Sequence, residues 1–272
     1  MPILKNKFAR LANLPSMPVL LMEALQQING KQDLTALVDK ISHDPSMAVR
    51  ILRIVNSPFY GMSREIGSLR EAVVLLGLNR IRDMLISICF FNMLPVQHKD
   101  FNYRQFWHHS MAVAECTGQL AGLSGNSPDM AFTAGLLHDI GRLVIVVLFP
   151  DEFSRIFNES ASSLIESERR ILGFDNVEIG GKAAQHWNLP VAIQEAIERH
   201  ETPPEPDTAK SLGLLVYTAN LLIVKDEQSD ESALEEHEPI HTALAILDVS
   251  IGQAEHCANS GRQFADQVTT LS

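Results

Sequence analysis

The chain has 272 residues, of which 46% are hydrophobic and 6% aromatic, and a formal net charge of −11. That length can bury the core of one large domain or two smaller lobes, and an apolar fraction rich in Ala and Leu favours helices over sheets. The acidic balance argues against general nucleic-acid binding, which needs a basic surface to neutralise phosphates, and against docking on anionic lipid.

Lys5, Lys7 and Arg10 form a minor basic patch on what reads as a solvated N-terminal arm. Pro18 stands early in a first helix, whose apolar residues Val19, Leu20, Met22, Leu25 and Ile28 recur at helical spacing until Asn29-Gly30. Leu34 to Ile41 is a second short helix. Asp44-Pro45 opens a third, and Pro58 ends it near Asn56. Asn56 to Gly61 is a turn carrying Phe59 and Tyr60, read either as a plug between lobes or as part of a binding groove. Ser68 and Glu71 form a capping box for Leu69–Leu76, which Gly77 ends. Asn79 is expected to cap a long apolar helix to Met93, stopped by Pro95.

A polar connector, Val96 to Asn102, marks the best internal boundary. It implies an N-terminal lobe over 1–95, a second lobe over 96–225, and acidic loop plus terminal helices over 226–272. Arg104–Leu123 is helical, with Trp107 as a core anchor. Ser127-Pro128 opens a helix expected to run unbroken through His138 to Phe149. Ser163 and Glu166 form another capping box, Asp175 caps a helix to Trp187, and Pro190 starts one to Glu201. A proline-rich loop, a helix over Ala209–Val224, the acidic run Asp226–Glu238 and two shorter helices complete the all-α reading.

Cys89, Cys116 and Cys257 form no C-x-x-C pair and suit a reducing compartment. Met1 to Arg10 lacks the apolar core of a signal peptide, and Ile81–Leu94 and Ala131–Phe149 are too short or broken by charge to span a bilayer. A soluble, cytoplasmic protein with no membrane partner is expected.

The chemistry concentrates in Leu136-Leu137-His138-Asp139-Ile140-Gly141-Arg142. An adjacent imidazole and carboxylate in an apolar run must be hydrogen-bonded, ion-paired or metal-bound. Arg142 falls on their face at helical spacing. An adjacent His-Asp cannot cage a metal alone, so further ligands must come from other helices, as in helical bundles with inward-facing donors. His109 and His200 are the candidates, with the amides of Asn176 and Asn220 nearby in the pattern. The competing reading is a metal-free network in which His138, Asp139, Arg142 and His109 satisfy one another.

From Leu14 to about Asn220 the chain resembles an HDOD domain, the signalling relative of the HD superfamily of metal-dependent phosphohydrolases. The resemblance rests on Leu14-Pro15-Ser16-Met17-Pro18, Ile41-Ser42-His43-Asp44-Pro45, Arg53 to Gly61 and Ala72 to Gly77. It continues in Trp107-His108-His109-Ser110, Gly135 to Gly141, and Trp187-Asn188-Leu189-Pro190. It implies a two-lobed helical fold. In active relatives, histidines and aspartates from several helices hold one or two divalent metals that activate water against a phosphate ester.

Carried over by position, His109, His138, Asp139 and His200 stand as metal ligands, for an ion such as Fe, Mn, Ni or Mg. His138, Asp139 and Arg142 stand as the catalytic group, Arg142 replacing a lysine and able to contact phosphate. Arg199 replaces the first of a late histidine pair, Asn176 a histidine, and Asn220 the closing aspartate. Amides are weak ligands, and a guanidinium cannot deprotonate to bind metal. A two-metal site is therefore unsupported. The expectation is a non-catalytic signal-transduction module with a degenerate metal site and no bound cofactor. It would act by binding a partner signalling protein in trans, or a nucleotide or cyclic dinucleotide, at the seam between the two lobes. The alternative is a metal-dependent phosphohydrolase; a third reading is a phosphate sensor using Arg142 and Arg199.

Overall fold

The structure is a computed structural model and describes residues 7–27, 34–94, 96–159, 163–205, 209–227 and 238–270. Every regular element among these residues is helical, so the all-α expectation holds. Ile28, the stop at Asn29-Gly30, Pro95 and most of the acidic run, 228–237, lie outside the described residues.

The first half is built around one apolar helix. Helices α1 (Val19–Gln27), α2 (Leu34–Ser42), α3 (Pro45–Val55) and α4 (Leu69–Leu76) all pack against α5 (Leu78–Met93). Local chemistry fixes the boundaries. The Asp44 carboxylate accepts from the amides of Ser46 and Met47 at the start of α3. Ser68 Oγ accepts from Glu71 N at 3.2 Å, as the capping box predicts. Asn79 is not the cap of α5: Gly77 at φ 83° makes the turn, and Asn79 sits inside the helix, accepting from Arg82 Nη1 at 3.4 Å. Asn56 holds the following turn closed, donating to the carbonyls of Leu52 and Ile66 (both 2.9 Å) and accepting from Ile66 N (2.7 Å).

The second half is organised on α6 (Tyr103–Ser124), which is flanked by α7 (Pro128–Leu137), α13 (Leu212–Glu227) and α15 (Ile251–Thr270). Around them lie α8 (Ile140–Leu148), α9 (Pro150–Phe157), α10 (Leu164–Leu172), α11 (Asn176–His186), α12 (Val191–Arg199) and α14 (Glu238–Leu247). The last helix is 20 residues long, not short as expected. The expected unbroken helix to Phe149 is also corrected: it divides at His138-Asp139 into α7 and α8. Residues Pro128–Leu148 are long and apolar enough to cross a membrane, but that stretch is 83% buried in this core.

A single hydrophobic core runs through both halves, from Leu11 to Val268, with Trp107 and Trp187 as buried anchors. Helix α5 touches α7, and Trp187 Nε1 donates to the Pro15 carbonyl at 3.1 Å, joining the first and last of the motifs that carry the resemblance. From residue 7 onward two cations tie the N-terminal arm to the body of the molecule. Lys7 Nζ donates to the Leu172 carbonyl (2.6 Å) and Arg10 Nη1 to the Leu148 carbonyl (2.9 Å). Both cations cap helix C-termini, where unpaired carbonyls and the helix dipole favour positive charge. Lys5 lies outside the described residues. Phe59 packs on Phe264 of α15 (5.2 Å between centroids), and Tyr60 accepts from Arg80 Nε of α5 (2.8 Å).

Candidate functional site

The break between α7 and α8 builds the site. Gly135 lets α7 press against α6, since a Cβ there would stand 2.9 Å from Ala114 Cα and Val113 O. Gly141 does the same between α8 and α11, where a Cβ would overlap the Asn176 carbonyl. Two glycines, three before and three after His138, thus hold the His-Asp pair where α6, α8, α11, α12 and α13 converge.

Both residues are buried, His138 at 1% and Asp139 at 7% exposure. His138 Nδ1 donates to the Gly135 carbonyl at 2.7 Å, which turns its other nitrogen inward. Burial, together with His200 and His109, holds the ring well below the ordinary histidine range, so it is neutral. The ring centroids of His109 and His200 lie 5.3 and 5.1 Å from that of His138. His200 Nδ1 likewise donates to the Ile197 carbonyl (2.7 Å). His109 Nε2 lies 3.1 Å from Asn220 Oδ1. The structure thus brings His109, His138, Asp139, His200 and Asn220 together, as the pattern implied.

Arg142 does not share a helix with His138, because of the break, but it does reach Asp139: Nε stands 3.0 Å from Oδ2. That contact is an ion pair and not a well-aligned hydrogen bond, since Nε has no bonded partner in the strict sense. Asp139 first, then Glu168 and Glu201, keep the guanidinium charged against the pull of burial. Of the competing metal-free network, the Asp139–Arg142 ion pair is formed, whereas His138 Nδ1 is tied to the Gly135 carbonyl. Each histidine is tied elsewhere, and three buried acceptors (Asp139 Oδ1, Asn176 Oδ1 and His200 Nε2) have no donor. Arg199 is exposed and packs on Gly213, so it does not join Arg142 in a phosphate clamp.

Glu168 and Glu201 escaped the sequence reading. Glu168 is buried on α10 and accepts from Asn176 N (2.8 Å) and Nδ2 (2.9 Å). Burial raises its carboxyl above the ordinary glutamate range, with those bonds and Arg142 pulling the other way. The helix Leu164–Leu172 is rich in charge, and nothing in Glu166-Ser167-Glu168 distinguishes the glutamate that faces inward. Only the position of Asn176, where the pattern calls for a histidine, hinted that something else must meet it.

The site opens into a cavity of about 930 Å³. His109, His138, Asp139 and Arg142 line its polar end, and Phe101, Phe106, Phe153 and Phe157 its apolar wall. Phe101 and Phe153 meet edge to face at 5.7 Å. Lys99 and Asp100 sit at its rim on the connector before α6.

The resemblance implies a divalent metal here. The residues do not fit one as they stand. The closing position is an amide bonded to His109, and a guanidinium already occupies Asp139. Among the described residues no group of three or more His, Cys, Asp or Glu is arranged to hold a metal ion.

The chain is 28% identical over 227 residues to an uncharacterised protein of Treponema pallidum (strain Nichols), covering 79% of this chain and 43% of that protein. It is 30% identical over 130 residues to ribonuclease Y of Thermus thermophilus, covering 47% of this chain and 18% of that enzyme. The chain therefore spans less than half the length of these curated relatives. Among solved structures, a candidate phosphohydrolase of Shewanella amazonensis SB2B matches with TM-score 0.78 and 27% identity over 96% of this chain and 97% of that one. An HDOD domain protein of unknown function from Geobacter sulfurreducens matches with TM-score 0.81 and 22% identity over 98% and 99%. The HDOD domain model matches residues 14–203, and the chain belongs to the HDOD family.

Proposed function

We propose that this protein is a non-catalytic regulatory module. Its cavity holds a partner signalling protein or a nucleotide, cyclic dinucleotides included, and signalling passes to a partner in trans. In this reading the chain folds as an N-terminal lobe over 1–95 and a second lobe over 96–225, with the acidic loop and terminal helices of 226–272 packing on the second lobe and the seam at α5 and α7. The observation that carries it is the placement of Arg142 on Asp139, with Asn220 bonded to His109: the positions a catalytic metal would use are spent on an internal ion pair and an amide contact. Phosphoryl chemistry by a bound metal requires free carboxylate or imidazole donors and an open coordination position. A cavity of about 930 Å³ with a mostly apolar lining lies around that site, as a binding function requires.

Elemental analysis of the protein as purified, with a phosphatase screen in Mn²⁺, Ni²⁺, Fe²⁺ and Mg²⁺, tests this reading. No stoichiometric metal and no turnover are expected. Turnover that disappears in H138A and D139A would overturn it. That outcome would favour the second reading, a metal-dependent phosphohydrolase, which the likeness to the Shewanella amazonensis protein supports. There Asp139 would serve as base and Arg142 would steady the phosphate.

A further inference from the structure

We infer that the cavity takes a cationic side chain, an arginine or lysine of a partner protein, flanked in that partner by apolar residues. The inference rests on the preceding reading and names the occupant of the same cavity.

Charge argues for a cation. Besides its histidines, the cavity is lined by the ionisable residues Lys99, Asp100, Asp139, Arg142, Glu168 and Glu201. Carboxylates outnumber cations four to two, so the lining is net negative at neutral pH. Arg142 is engaged by Asp139, at 3.0 Å, and Lys99 is exposed at the rim next to Asp100. Glu168 and Glu201 are left to face whatever enters. A phosphate brings charge of the same sign, whereas an ammonium or guanidinium is attracted, and a partly buried cavity screens that attraction less than open surface does.

Hydrogen bonding points the same way. Asp139 is 7% exposed, and its Oδ1 is a buried acceptor with no donor. A phosphodiester offers such an oxygen only further acceptors, while an ammonium or guanidinium offers only donors.

The apolar part of the lining fits the rest of a long basic side chain. Phe101, Phe106 and Phe153 wall the cavity, where a lysine or arginine stem can lie with its charge beyond them. Aromatic faces also attract a guanidinium. Phe157 of α9 and Leu164 of α10 line the same cavity yet are 55% and 44% exposed. Large apolar side chains left open beside acidic groups suit apolar residues adjoining the cation. A free polyamine has none to offer, so the occupant is a segment of a protein.

Calorimetry on the full chain tests this with an end-capped pentapeptide, Ser-Leu-Arg-Phe-Ser. The comparisons are the same peptide with glutamine or glutamate in place of arginine, spermidine, and cyclic di-GMP. The arginine peptide is expected to bind about tenfold more tightly than the glutamine peptide, and the glutamate peptide more weakly still. E201Q, which removes a charge at constant size, should weaken the arginine peptide about threefold and leave the glutamine peptide unchanged. F157A should weaken both peptides, because it removes wall and not charge. Glu201 and Phe157 are exposed, so neither variant threatens the fold. Equal affinity for the three peptides overturns the inference. So does tighter binding of cyclic di-GMP or spermidine than of the arginine peptide, or no binding of that peptide at all. With a metal-free, inactive wild type those outcomes leave the non-catalytic reading standing; metal or turnover in the wild type sinks that reading instead.

Discussion

Asp83 shows how much one buried charge can govern. It is 4% exposed on α5, and burial lifts its carboxyl from 3.8 to about 7 against the pull of Arg82 at 2.9 Å. The unfolded chain takes up this proton near pH 4 and the folded chain near pH 7, so between those values the folded state holds the extra proton. The sign follows: the contribution to stability is full below the unfolded value and is lost as pH rises through the folded one. For a single proton the loss is about 1.4 kcal/mol per pH unit across that window. Denaturant unfolding of wild type and D83N at pH 5 and 8 isolates the effect, and wild type should lose stability relative to D83N at the higher pH. A constant difference would mean that Arg82, itself 3.3 Å from Asp129, keeps the carboxylate ionised throughout. Residues of this kind divide sharply in how legible they are. His138 and Asp139 stood out because a polar pair in an apolar run demands partners. Asp83 and Glu168 did not, because a charge on a helix declares its burial only through what packs over it.

At the scale of the element, the decisive feature is the interruption between α7 and α8. Periodicity favoured one continuous helix, since Leu136 to Phe149 has no proline and no charge besides Asp139 and Arg142. At the break the His138 ring turns back locally on the Gly135 carbonyl, and the tertiary constraint is that Gly141 must meet Asn176 of α11 without a side chain between. Gly141→Ala should therefore cost about 3 kcal/mol or more, because backbone stands where the methyl must go. Gly252→Ala in the first turn of α15 has open space around it and should be neutral or stabilise by up to about 1 kcal/mol. Thermal melts of the two variants check the contrast; equal behaviour would mean that α8 and α11 can slide apart. Caps were the most legible part of the fold. Ser68, Ser163 and Asp175 bond the amides the spacing assigned to them, because a cap is settled within four residues. The Lys7 and Arg10 caps join residues more than a hundred positions apart, and no local pattern announces such a pairing.

The molecule as a whole closes through a helix that lies beyond the family match. That match ends at residue 203, yet α15 packs along α6 and reaches the turn carrying Phe59. Its length was hidden because Gly252 and Gly261 weaken helical propensity within it. Gly261 has a packing reason: a Cβ there would strike the Ala112 carbonyl of α6. Phe264 is the keystone of this contact. It is 2% exposed, lies 5.2 Å from Phe59 and 6.0 Å from Phe132 of α7, and carries the Arg80 guanidinium of α5 over its ring at 5.0 Å. Arg80 also pairs with Glu115 of α6, so one aromatic ring supports a charged link between the first and second halves of the chain. Truncating it to alanine leaves a cavity where four elements meet and should cost about 3 to 5 kcal/mol. The informative readout is hydrogen exchange, since a single cooperative core and an appended helix predict different patterns. With one core, F264A should speed amide exchange in α5 and α7 as well as in α15. If protection is lost in α15 alone, the C-terminal helix is a separable strap, and the seam between the halves is held by α5 and α7 without it.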